Sequence, residues 1–363
     1  MTANPSPPEA FAFDPVRAAA WLVSGAVAIA FLVLGQPLLV PLAIAIFIWT
    51  LLGAIRATLQ NLLPARYAPP IWLQNLVAIS IVGVATYLVV LLITSQADAL
   101  RAAIPGYQSN FAAMTAKLTE ALGLEALPAT ESVVQQLNIA AILGWIGDSA
   151  AALASNVILI AIYVGFLLAE EHVIPGKLTR LQSDDSRASR VLELAEEVSS
   201  SVQRYIGMKT VISLATAIVS YLILLVVGVD FAAIWAILVF FLNFIPTIGS
   251  IVAAIFPALL TLIQFDTLTP FLIVAAGLGI TQFLFGNVIE PAYMGRSLNL
   301  SALMILLSLS FWGIVWGVAG MFLAVPIMVM TGIVCAQFPQ LRWIAVMLST
   351  DGRVMGELSG EKE

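Results

Sequence analysis

Between Thr210 and Leu341 the chain carries four charged side chains, Asp230, Asp266, Glu290 and Arg296. So few charges cannot cover a water-facing surface, because soluble folds devote about a quarter of their residues to Asp, Glu, Lys and Arg. The rest of the sequence agrees: of 363 residues, 61% are apolar and 10% are charged. An all-α integral membrane protein follows, since its apolar runs are of helical length and a helix satisfies its own backbone inside a bilayer. A net charge of −6 with no Lys/Arg cluster excludes a nucleic-acid partner. One cysteine, Cys335, and one histidine, His172, leave no disulfide, no zinc site and no nucleophile–base pair to build from. Neither an enzyme nor a cofactor nor a metal is expected. No phosphate-cradling glycine loop is present, so uphill movement of a solute would have to draw on a gradient.

The charges divide the chain. Residues 1–17, with four prolines and no basic flank, read as a disordered cytoplasmic tail rather than a signal peptide. Residues 18–94 hold three apolar runs, the first two separated at Gly35-Gln36-Pro37, and are read as three membrane segments. In residues 95–147, Leu100, Ile104, Tyr107, Phe111, Met114, Leu118 and Leu122 recur at three- and four-residue spacing, which predicts an extracytoplasmic amphipathic helical cap. A fourth membrane segment is expected at 148–169. Residues 170–209, with six basic and seven acidic side chains, read as a cytoplasmic amphipathic linker helix, lying on a surface or solvated, and 211–229 as a fifth crossing. Residues 339–363 read as a second cytoplasmic tail.

Two apolar runs have the wrong length. Residues 231–263 would make one helix of about 50 Å, against a hydrocarbon core of ~30 Å, and splitting the run at Pro246-Thr247-Ile248-Gly249 leaves halves too short to cross twice. The run 301–337 repeats the problem, interrupted by Gly313, Gly317, Gly320 and Pro326. Broken or re-entrant hairpins fit both runs better than single crossings, and for 301–337 two short spans fit as well. With that topology and both termini inside, 13 basic residues fall inside and two outside, as the positive-inside rule requires. Backbone can break at membrane depth only where protein or a wet cavity satisfies it, so 210–338 is the expected transport region.

The polar residues of that region are its candidate site. Asn243, Pro246, Thr247, Gly249 and Ser250 surround the first break, where helix ends expose amides and carbonyls to a ligand or to structural caps. Gln282, Gly286 and Glu290 are four residues apart and would share one helical face, with Asn287 beside them and Pro291 following. Glu290 reads either as an intramembrane functional carboxylate or as an interfacial one paired with Arg296. Gly313, Gly317 and Gly320, followed by Pro326, suit a hinge or a close-packing face.

Three stretches carry a resemblance: Asn243-Phe244-Ile245-Pro246-Thr247-Ile248-Gly249; Asn287-Val288-Ile289-Glu290-Pro291 with Gly295-Arg296; and Gly317-Val318-Ala319-Gly320-Met321-Phe322-Leu323-Ala324-Val325-Pro326, with Arg204-Tyr205 and Lys209 upstream. In this order and spacing the chain resembles the autoinducer-2 exporter family over about 18–338, although many relatives carry proline where Ala302 stands here. The resemblance implies about eight membrane segments, homo-oligomers with pentamers expected, and a bacterial cytoplasmic (inner) membrane protein contacting lipid. It further implies transport of a small polar solute, autoinducer-2 for some relatives, or exchange of sodium or lithium for protons in others. A non-transporting scaffold is the alternative of another class.

Overall fold

The computed structural model describes residues 15–62, 69–121, 156–171, 173–174, 176–177, 185–294 and 299–353. Among them the architecture is helical: α1 (Pro15–Leu34), α2 (Gln36–Leu62), α3 (Ile71–Ala121), α4 (Asn156–Glu170), α5 (Asp185–Val227), α6 (Ala232–Leu242), α7 (Ile248–Gln264), α8 (Thr269–Phe283), α9 (Glu290–Met294), α10 (Ala302–Gln337) and α11 (Arg342–Leu348). Among the described residues five helical stretches are long and apolar enough to span a membrane, Gln36–Asn61, Ile71–Gln96, Leu192–Val227, Thr269–Tyr293 and Ala302–Gln337, the last of them bent back at Gly317. Apolar side chains such as Val226 and Ile314 are 86% exposed, a surface that suits lipid and would aggregate in water.

At Gly35 the first apolar stretch divides into two helices as expected: Gly35 N–H bonds Phe31 O (2.8 Å) at the close of α1, and Leu39 N–H bonds Gly35 O (2.8 Å) at the start of α2. Pro37, which lacks an N–H, sits in the first turn of α2, where no intrahelical bond is lost. Other helices run on past the boundaries expected from sequence. α3 carries the third membrane segment and the start of the cap in one helix of 51 residues. α5 likewise merges the linker with the fifth apolar run in 43 residues. Residues 122–147 of the cap, the start of the fourth segment at 148–155 and the tail 1–14 lie outside the described residues. The region after 338 includes α11, which packs Ala345 against Cys335, and an antiparallel bridge of Leu300 with Ser349.

Both wrong-length runs fold back on themselves. For 231–263 the proof is at the base: Gln264 donates to Gly228 O (2.8 Å) and accepts from Asp230 N–H (2.9 Å). A straight helix would hold those positions roughly 50 Å apart. For 301–337, Ser308 Oγ donates to Ala324 O at 3.3 Å, across a distance a straight helix would make about 24 Å. The reversal is at Gly317, whose φ of 62° and ψ of −141° suit glycine and little else. The tip of the first hairpin meets the arms of the second: Ile245 packs with Leu309 and Ala324, and Phe244 lies 4.8 Å from Phe322 and 5.7 Å from Phe47 of α2, ring centre to ring centre.

The cap end of α3 is tied to the base of the first hairpin. Tyr107 Oη donates to Asp230 Oδ2 at 2.7 Å, and Asn110 Nδ2 to Ile263 O at 3.0 Å. Burial, reinforced by the hydrogen bond to Asp230, pushes the Tyr107 hydroxyl well above its ordinary range. It therefore keeps its proton, and its donor role, at any physiological pH.

Close backbone approach fixes the glycines at both tips. A Cβ on Gly249 would lie 1.7 Å from Leu242 O, and one on Gly320 would lie 1.9 Å from Trp312 O. Replacement of either by alanine should lower stability by about 1–3 kcal/mol or more through overpacking. Gly279→Ala, which meets nothing within 4 Å, should not. Thermal unfolding in detergent checks this; equal behaviour of Gly249→Ala and Gly279→Ala would contradict the hairpin geometry.

Candidate functional site

An isolated carboxylate in an apolar run has to find a partner or remain in water. Glu290 finds Lys209, on α5, with Nζ at 2.6 Å from Oε1 and 2.7 Å from Oε2. The lysine side chain is 5% exposed and the glutamate 22%. Both oxygens thus take donors from one ammonium, and the pair is electrically neutral within the bundle. Arg296, the partner considered from sequence, lies outside the described residues.

The helix that delivers Glu290 is irregular for a reason visible in the sequence. Pro291 has no N–H to return to the preceding turn, and residues 284–289 open into a π-helix in which Glu290 N–H bonds Phe285 O, five residues back. The extra residue in that turn rotates Glu290 away from the ideal α-helical face expected to hold Gln282, Gly286 and Glu290 together. Gln282 is buried, whereas Gly286, Asn287 and Pro291 are exposed. The shared face is therefore not kept.

One turn along α5 from Lys209, Ser213 Oγ accepts from Asn243 Nδ2 at 3.1 Å, and both side chains are buried. Asn243 closes α6, and the chain then turns tightly. Ile248 N–H bonds Pro246 O at 2.6 Å around Thr247, whose φ of 61° and ψ of −61° describe the rare, strained form of the γ-turn. Ser250 Oγ bonds Thr247 O at 2.9 Å, which holds the turn against the start of α7. Gly313 packs against Met321 across the second hairpin, and Pro326 is buried in its returning arm. α5 thus joins the first hairpin's tip to the Glu290 helix through two polar contacts four residues apart, Lys209 and Ser213.

Sequence reasoning put Glu290 and Asn243 in the site, named Lys209 only as part of the family resemblance, and did not single out Ser213. Lys209, Ser213, Thr216 and Ser220, spaced four, three and four apart in a helix otherwise apolar on that face, are all buried. That spacing was the available signal. Among the described residues no three His, Cys, Asp or Glu side chains gather as a metal site would require.

The model of the AI-2E family transporter matches residues 22–340. The chain belongs to that family. Among its relatives, the AI-2 transport protein TqsA of Escherichia coli K12 is 30% identical over 324 residues, covering 86% of this chain and 89% of TqsA. A protein of Haemophilus influenzae is 29% identical over 323 residues, 87% of this chain and 91% of its own. YhhT of Escherichia coli K12 is 32% identical over 173 residues, 48% of each. The chain is accordingly a multi-pass membrane protein of a transport family.

Removing one partner of a buried pair leaves the other uncompensated. Lys209→Met should destabilise the protein by about 3 kcal/mol, the lower end for a broken buried pair because Glu290 retains some exposure. Lys209→Met combined with Glu290→Gln should recover most of that loss. A double-mutant cycle on thermal unfolding checks it, and additive losses would mean that the two side chains do not interact.

Proposed function

We propose that the chain exports a small polar solute across the bacterial cytoplasmic membrane, by a facilitated or gradient-driven mechanism, with autoinducer-2 as the candidate suggested by TqsA. The observation that carries this reading is the meeting of two broken hairpins beside a neutralised, buried lysine–glutamate pair. Paired interrupted helices are the arrangement in which transporters place their sites, because freed backbone groups there can be exchanged for solute contacts. Hairpin movement about the strained turn at Thr247 and the glycine reversal at Gly317 would open and close the path.

In this reading Glu290 and Lys209 act together. When hairpin movement draws α5 away from the Glu290 helix, the carboxylate and ammonium are released from each other and can each bind a solute hydroxyl or carbonyl; when the helices return, the pair re-forms and expels it. A proton taken by Glu290 during separation would couple the cycle to a gradient. The excess of basic residues between the apolar runs supports an orientation with both termini in the cytoplasm. The broad exposed apolar surface is shared between lipid and, in a homo-oligomer, neighbouring copies.

Exchange of sodium or lithium for protons is the second reading, and it is the less supported one. A cation cage needs several oxygen ligands, and here both oxygens of the single carboxylate are engaged by Lys209.

Uptake of labelled autoinducer-2 into everted membrane vesicles tests the proposal. Saturable uptake is expected, falling about tenfold in Glu290→Gln, the equivalent of ~1.4 kcal/mol at the transition state. A folded protein that shows no uptake would contradict autoinducer-2 as the solute. Uptake unaffected by the substitution would remove Glu290 from the path.

A further inference from the structure

The polar face of α5 does not stop at the contacts described above. Ser213, Thr216 and Ser220 all have 0% exposure, and with Lys209 they make a continuous line of polar groups along one side of the helix. Three of the four have identified bonds. Lys209 holds Glu290, Ser213 accepts from Asn243, and Thr216 Oγ1 donates to Ile212 O at 2.8 Å. Ser220 Oγ has none, and neither does the buried Nε1 of Trp235 on α6.

The packing of α6 against α5 brings these two orphans to the same level of the bundle. Ser213 meets Asn243, Ala217 clusters with Val239, and Leu224 clusters with Ala232, so α6 descends as α5 ascends. In that register Ser220 falls opposite Ala236, the neighbour of Trp235. A buried donor without a partner costs about 1–3 kcal/mol, and native proteins rarely keep one without a reason. The arm that covers the line is itself strained at its two ends. Phe231, which begins it, has φ 57°, a conformation bulky L residues avoid, and Thr247, just beyond it, has φ 61°.

We propose that the buried α5 face running from Lys209 to Ser220 is the solute path, closed in this structure by α6, and that Ser220 and Trp235 are solute-contacting, specificity-determining residues. The indole Nε1 can only donate and the serine hydroxyl can donate or accept, so the pair selects an uncharged solute bearing hydroxyl or carbonyl oxygens. This deepens the export reading and rests on it for the identity of the solute, but the position of the path can be tested without any solute.

In a Cys335→Ala background, Ser220→Cys is treated in membranes with a small, charged, water-soluble methanethiosulfonate. Leu224→Cys, equally buried one turn further along and packed among apolar side chains, serves as the reference. Modification of Ser220→Cys but not of Leu224→Cys is expected, because only the polar line opens to water. An inert Ser220→Cys, or equal modification of both, would overturn the proposal.

The second arm separates a solute contact from a structural one. Ser220→Ala should unfold at the same or a higher temperature, since it deletes an unsatisfied group, yet raise the KM for labelled autoinducer-2 about fivefold to tenfold, the worth of one hydrogen bond. Trp235→Phe should raise it similarly. A lowered unfolding temperature with unchanged KM would show that the hydroxyl is structural and overturn the contact. Failure of the unsubstituted protein to move autoinducer-2 would count against the solute assignment, and the labelling would then decide the path alone.

Discussion

A lysine ammonium packed to 5% exposure inside an apolar bundle can persist only if something of opposite charge meets it. Lys209 therefore sets the position of Glu290, and through it the course of two helices. α8 must widen into a π-turn to bring the carboxylate round, and Pro291 makes that widening inexpensive because it removes a hydrogen bond the α-helix would otherwise have kept. α5 must stand between α8 and the first hairpin, where Ser213 can reach Asn243 at the tip. Phe244, next to Asn243, then packs on Phe322 and Phe47 and so fixes the second hairpin and α2 as well. One neutralised charge pair thus lies at the start of a chain of contacts that reaches every broken element.

Much of this was legible in the sequence. The shortage of charge between Thr210 and Leu341 declared the membrane class, and the lengths of 231–263 and 301–337 favoured hairpins over simple crossings. Glu290 stood out because it was alone. The parts that escaped have physical reasons. Its partner, Lys209, looked like the last residue of a charged linker, because periodicity cannot show that a linker and a membrane helix are one rod such as α5. The face shared by Gln282, Gly286 and Glu290 assumed an unbroken α-helix, and the consequence of Pro291 for the preceding turn was not carried through.

The glycines illustrate the same limit. Spacing alone left hinge and packing face as alternatives for Gly313, Gly317 and Gly320. The structure divides the roles: Gly317 supplies the backbone reversal, while Gly320 admits the Trp312 carbonyl where no side chain would fit. Strain gathers at the first hairpin, in Phe231 at its base and Thr247 at its tip. Such conformations persist where surrounding contacts hold them, here the Gln264 and Tyr107 bonds to residues 228–230 at one end and the aromatic cluster at the other. An element held under strain at both ends is suited to have two positions, which is what alternating access requires.

The most direct test of the central role of the ion pair is a charge exchange measured by transport. Lys209→Glu and Glu290→Lys, introduced singly, place like charges together and should each abolish vesicle uptake. Introduced together they should restore a native-like unfolding transition and a measurable part of the uptake. A doubly exchanged protein that folds normally yet transports no better than the single variants, or a single exchange that transports normally, would contradict the pair as the contact on which the transport region is built.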